Sequence, residues 1–186
     1  MGTYLLLLRG INVGGNNKVS MTELKRCLEE LGFSNVTTYI ASGNVVLESH
    51  ESTNEIKARI EAVMPKRFKL DSKFIKVLVV TLGQLQAIID SKPRGFGEQS
   101  DKYRSDVIFL MDIAAAQAMP AFDPREGVDQ IWSGEGVIYH QRLDALRTKS
   151  RLSKVIGSPV YKSMTIRSWG TTIRLLEIMN AMASDK

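Results

Sequence analysis

The chain has 186 residues and a formal net charge of +5, with 44% hydrophobic and 24% charged residues, a balance that excludes extended disorder and suits one domain or two small ones. No apolar run approaches the ~20 residues of a membrane span, and Arg9 closes the first apolar segment too early for a signal-peptide core, so no membrane partner is expected. The single cysteine, Cys27, excludes an internal disulfide and suits a cytoplasmic protein.

In chain order, Thr3–Leu8 is continuously apolar and reads as a buried central strand. A loop rich in glycine and asparagine follows, Arg9-Gly10-Ile11-Asn12-Val13-Gly14-Gly15-Asn16-Asn17-Lys18. Ser20-Met21-Thr22-Glu23 is a capping box, and Leu24, Leu28 and Leu31 then recur at helical spacing until Gly32. Residues 35–41 and 45–48 read as strands around the hairpin signal Ser42-Gly43-Asn44. A second capping box, Ser52 to Glu55, opens a helix that should bury Ile56, Ile60 and Val63 and end at Pro65. Residues 74–80 complete a βαββαβ order, the ferredoxin-like pattern.

Thr81 to Gln84 is a third box, starting a helix to about Asp90. The Pro- and Gly-rich stretch 91–102 is the best boundary, dividing the chain into 1–91 and a smaller α+β part, 92–186. In that part 106–111, 128–132, 137–140 and 161–165 read as strands. Residues 113–119 and 150–156 read as short helices, and 169–182 as an amphipathic helix burying Ile173, Leu176 and Met179. The fold class is α+β.

Charge is uneven along the chain. Residues 142–174 carry Arg142, Arg147, Lys149, Arg151, Lys154, Lys162, Arg167 and Arg174 against Asp144 alone, a net of +7 that should attract phosphates or nucleic acid. A solvated basic face with no dedicated partner is the alternative.

The Gly-rich loop is the conspicuous candidate site. Its turns imply positive φ, and runs of backbone N–H in such turns form anion-binding nests, here bracketed by Arg9 and Lys18. A tight connection that needs glycine only for its shape is the competing reading. The spacing Gly10-x-x-x-x-Gly15 matches a P-loop, but Asn16 and Asn17 stand where that motif needs Lys and Ser/Thr, so a Walker-type ATPase is excluded. In a split βαβ, Ser42, Gly43 and Asn44 should converge on this loop. Arg167, Trp169 and Thr171, at the start of the terminal helix, could add an anion site, with Trp169 more plausibly a core anchor. Arg9 and Arg167 could then clamp one anionic ligand.

No cofactor or metal site is expected: His50 and His140 have no metal spacing, and Cys27 suits a small core hydrophobe. A Ser-His-Asp set could be drawn from almost any composition of this size, and no nucleophile elbow is present. Binding of a nucleotide or nucleic-acid segment is the favoured reading. A small enzyme acting on a phosphorylated substrate, or a basic interaction module, are the alternatives, and a monomer is plausible.

Leu8-Arg9-Gly10-Ile11-Asn12-Val13-Gly14-Gly15, then Lys18-Val19-x-Met21, Gly32-Phe33, Thr38-Tyr39-Ile40 and Ser42-Gly43-Asn44-Val45 resemble in order the bacterial domain of unknown function 1697 family. Thr165-x-Arg167-Ser168-Trp169-x-Thr171 is similar to that family's closing motif. Asn16 stands where lysine is common in the family, and Ser168 where asparagine is usual. The resemblance implies a two-part α+β fold, ferredoxin-like in its first part, and no established activity.

Overall fold

A computed structural model describes residues 1–71 and 75–184; the expected strand residue Phe74 lies outside them. Contacts divide the chain into unit 1, Met1–Gln86 with Arg174–Lys186, and unit 2, Ala87–Ile173. The sequence boundary after residue 91 placed 174–186 with the second half, whereas they group with unit 1.

In unit 1 the strands β1 (Gly2–Arg9), β2 (Ser34–Tyr39), β3 (Asn44–Ser49) and β4 (Lys76–Thr81) form one sheet in the order β2-β3-β1-β4. Every neighbouring pair is antiparallel, as the ferredoxin-like reading requires. The apolar run of β1 follows from its place between β3 and β4: Leu5, Leu6, Leu7 and Leu8 are all at most 2% exposed. Leu6 and Leu8 face the helices α1 (Met21–Glu30) and α2 (Thr53–Arg67), which contribute Leu24, Leu28, Ile56, Ile60 and Met64 to the same core.

The caps form as their residues dictate. The Ser20 hydroxyl accepts from the Glu23 N–H, and Ser52 and Glu55 exchange bonds in both directions. Thr81 and Gln84 do the same at the start of α3 (Leu82–Asp90). The expected end of α2 at Pro65 is corrected: the helix continues through Arg67, with Met64 rather than Val63 fully buried. A proline this near the C-terminus removes one backbone bond of the last turns and leaves the remaining turn able to close. Cys27 is 3% exposed within the core, and burial pushes its thiol up despite the nearby Arg67.

Unit 2 repeats the topology. Strands β5 (Tyr103–Leu110), β6 (Asp129–Gly134), β7 (Val137–Leu143) and β8 (Met164–Ser168) are ordered β6-β7-β5-β8, again wholly antiparallel. Between them lie the short helices α4 (Ala115–Ala118) and α5 (Leu152–Ile156), and the long α6 (Trp169–Ser184) follows β8. The last strand starts three residues later than expected from sequence, because Pro159–Ser163 forms a 3-10 turn. Among the described residues no helix is long and apolar enough to cross a membrane.

Candidate functional site: the glycine loop and its neighbouring hairpin

Unit 1 brings the loop and the hairpin together, as the topology required. Leu8 N–H donates to the Gly43 carbonyl at 2.8 Å. A Cβ on Gly43 would lie 2.8 Å from the Leu8 carbonyl oxygen and 3.1 Å from the Ile11 side chain, so this close approach demands glycine.

The asparagines hold the loop's shape. Asn12, at φ +53°, donates through Nδ2 to the carbonyls of Val19 and Ala41, both at 2.9 Å, and its Oδ1 accepts from Val19 N–H. One side chain thus ties both ends of the loop to the hairpin. Asn17, 5% exposed, donates through Nδ2 to the Gly10 carbonyl at 2.6 Å. Asn44 is fully buried and donates to the Tyr39 carbonyl and to Ser42 Oγ. Gly14 and Gly15, both at positive φ, are the central pair of a turn closed by Asn16 N–H on the Val13 carbonyl, the arrangement of a type I′ turn.

Arg9 and Lys76 are register partners on β1 and β4, so their side chains emerge on the same face. Lys18 is exposed at the loop's far end. The Asp71 carboxylate accepts from Asn17 N–H at 2.7 Å. Lys76 was not among the residues singled out from sequence. Only the β1–β4 register reveals it, because 67 residues separate it from Arg9.

Arg167, Trp169 and Thr171 belong to unit 2 and are engaged within it. Arg167 is 8% exposed and donates to Thr165 Oγ1 and the Ile166 carbonyl; burial lowers its pKa to about 10. Trp169 packs edge-on against Phe96 at 5.2 Å, as do Tyr139 at 5.2 Å and Trp132 at 6.2 Å. Ser168 caps α6 by accepting from Thr171 N–H, a role that serine and asparagine share.

Several cations of the basic segment are paired in space. Arg142 pairs with Asp106, Arg147 with Asp144, and both Arg151 and Lys154 with Asp123. Unit 2 as a whole carries twelve Lys/Arg against ten Asp/Glu, a net of +2. Counting along the chain missed acids supplied by distant strands and loops.

A second polar cluster in unit 2 escaped the sequence reading. Asp129 accepts from Ser150 Oγ at 2.6 Å, Arg151 N–H at 2.9 Å and Arg125 N–H at 3.0 Å, with His140 Nε2 at 3.2 Å. Burial by itself would push this carboxyl up, but those hydrogen bonds outweigh it and hold its pKa below the ordinary value. A serine, a histidine and an aspartate do meet here, yet the hydroxyl donates to the carboxylate instead of the imidazole. That is the bonding of a structural anchor, since a nucleophile must hand its proton to the base. Among the described residues no group of three or more His, Cys, Asp or Glu is placed to hold a metal. An open groove of about 740 Å³ lies elsewhere in unit 1, between α1, β2 and α6, and its charged walls pair internally, Lys25 with Glu29 and Arg174 with Glu177.

The comparisons agree with this geometry at the level of fold. The family model described as "Protein of unknown function (DUF1697)" matches residues 1–139, which include the whole loop and hairpin. The conserved bacterial protein SP0830 from Streptococcus pneumoniae is similar in structure, with a TM-score of 0.75 at 24% identity over 96% of this chain and 98% of that one. No curated protein matches the chain.

Proposed function

We propose, for a chain that belongs to the DUF1697 family, that the loop rim of unit 1 binds a small phosphate-bearing ligand. The observation that carries this reading is the side-by-side placement of Arg9 and Lys76 at the ends of β1 and β4. An anion lying between cations on adjacent strands is attracted by both. Lys18 adds a third cation, and Asn17 N–H already holds an anionic oxygen, that of Asp71. The Asp71 carboxylate stands in for one edge of a phosphate. In this reading Arg9, Lys18 and Lys76 meet the ligand, while Asn12, Gly43 and Asn44 hold the loop in place for it.

A small ligand is favoured over a nucleic-acid tract. Unit 2 carries a net charge of only +2, which gives little support to a multi-phosphate contact. Isothermal titration with pyrophosphate tests the reading. Wild type should bind, and Arg9→Ala and Lys76→Ala should each weaken binding by about tenfold, the loss of one charge-assisted contact. Unchanged affinity in both variants would remove its basis.

A further inference from the structure

The sheet of unit 1 ends at β2, and the open groove of about 740 Å³ lies at that edge. Val36 and Thr37 line it, together with Lys25 and Glu29 of α1 and Arg174 and Glu177 of α6, all residues of unit 1. An edge strand carries a row of backbone N–H and C=O groups that a further strand can pair. The register identifies them. Leu8 N–H donates to the Gly43 carbonyl, so Leu6 and Val45, two residues along on each strand, also exchange backbone bonds. Val45 therefore turns its backbone toward β1, and Val46 turns toward β2, where it pairs with Thr37. Val36 and Thr38, on either side of Thr37, direct theirs away from β3 and toward the open edge. A bulge at Asn35, held at φ +51° with its side chain donating to Glu48, ends regular pairing before Val36.

Charge along the groove has a direction. Strands β1 and β2 both run antiparallel to β3 and hence parallel to each other, so the crossover helix α1 runs back against β2. Glu29 thus lies level with the start of β2, and Lys25 about 6 Å further toward its end. Glu177 raises the Arg174 guanidinium above its ordinary pKa through a hydrogen bond and its charge, and Tyr39 acts on it too, which sets Arg174 near the Tyr39 end of β2. Glu177 follows one turn on, and Ala181 and Met182 beyond it line the same groove beside Asn35. Both helices therefore offer a cation nearer Tyr39 and an anion nearer Asn35. A surface positive at one end and negative at the other is complementary to itself when turned about a two-fold axis.

We propose that this groove receives the β2 edge of a second copy of the chain, antiparallel about a two-fold axis at Thr37, so that two four-stranded sheets join into one. Val36 of each copy exchanges backbone bonds with Thr38 of the other, the two Thr37 side chains meet at the axis, and cations face anions along both helices. The contact uses the same patch on both partners, so association by this edge closes at the dimer. It shares no residue with the anion rim, and either can fail without the other.

Sedimentation equilibrium of the full chain over a concentration series tests the proposal, with wild type expected to be a reversible dimer. Thr37 is exposed, and Thr37→Lys sets two ammonium groups at the axis and should weaken the dimer by about tenfold or more. Glu29→Lys should weaken it in the same direction. The swap Lys25→Glu with Glu29→Lys should restore it, because the inverted order is again complementary to itself. A wild type that stays monomeric at every concentration would overturn the proposal. So would a dimer indifferent to Thr37→Lys, or one weakened by Glu29→Lys and not restored by the swap. A monomeric wild type whose Tm rises with a synthetic extended peptide of alternating apolar and charged residues would give the groove to a foreign strand instead, and overturn the second copy.

Discussion

Asp129→Ala should lower the stability of unit 2 by about 3–5 kcal/mol, the range for removing one partner of a buried, hydrogen-bonded charge. The reason is the number of donors left behind. Ser150 Oγ, Arg151 N–H, Arg125 N–H and His140 all address this one carboxylate, whose side chain is 1% exposed. Asp129→Asn keeps the volume but turns an NH2 group toward donors, so it should recover only part of the loss. The sign of the pH dependence follows from the depressed pKa. Because the folded value lies below the ordinary 3.8, the stabilisation is fully present above that pH and is lost as pH falls through the folded value. Urea midpoints of the three proteins between pH 7 and pH 3 check this. A wild-type advantage over Asp129→Asn that grows as the pH falls toward 3 would contradict the assignment.

The second large effect is expected at Gly97. Its φ is +76°, and a Cβ there would lie 2.3 Å from Cδ1 and Nε1 of Trp169. The strain of a left-handed alanine and the displacement of a packed indole together cost about 2–5 kcal/mol. Gly97→Ala should therefore weaken the near-ultraviolet dichroism of the Phe96, Trp132, Tyr139 and Trp169 cluster and lower the urea midpoint. A variant as stable as wild type would mean that Trp169 does not rest on this glycine.

These two sites show where sequence reading stops. Local signals were legible: the capping residues Ser20, Ser52 and Thr81, the Ser42-Gly43-Asn44 turn and the βαββαβ order of the first half all depend on neighbours within a few residues. Phe96 was not. It lies in the Pro- and Gly-rich stretch that reads as a boundary, yet it is fully buried at the centre of the aromatic cluster, and Gly97 beside it makes room for Trp169. Composition marks a turn there but says nothing of what the turn encloses. Asn12 reads as a ligand-facing loop residue because polar residues near glycine often are, and Asn17 reads only as the wrong residue for a P-loop. Their hydrogen bonds to Val19, Ala41 and Gly10 exist only once the hairpin is in place. The charge of 142–174 was only partly legible for the same reason, since Asp106 and Asp123 answer part of it from outside the segment. Lys76 became visible through strand register alone.

An anion held at the rim of unit 1 makes an unusual demand of Asp71. As the carboxylate seated on Asn17 N–H, it competes with any phosphate that would take that donor. Asp71→Asn removes that competing charge and should tighten pyrophosphate binding by about three- to tenfold at low salt, with the gain shrinking as ionic strength rises. Calorimetric titration of wild type and Asp71→Asn side by side measures it. Tighter binding in the variant is the predicted result, and unchanged or weaker binding would contradict the claim.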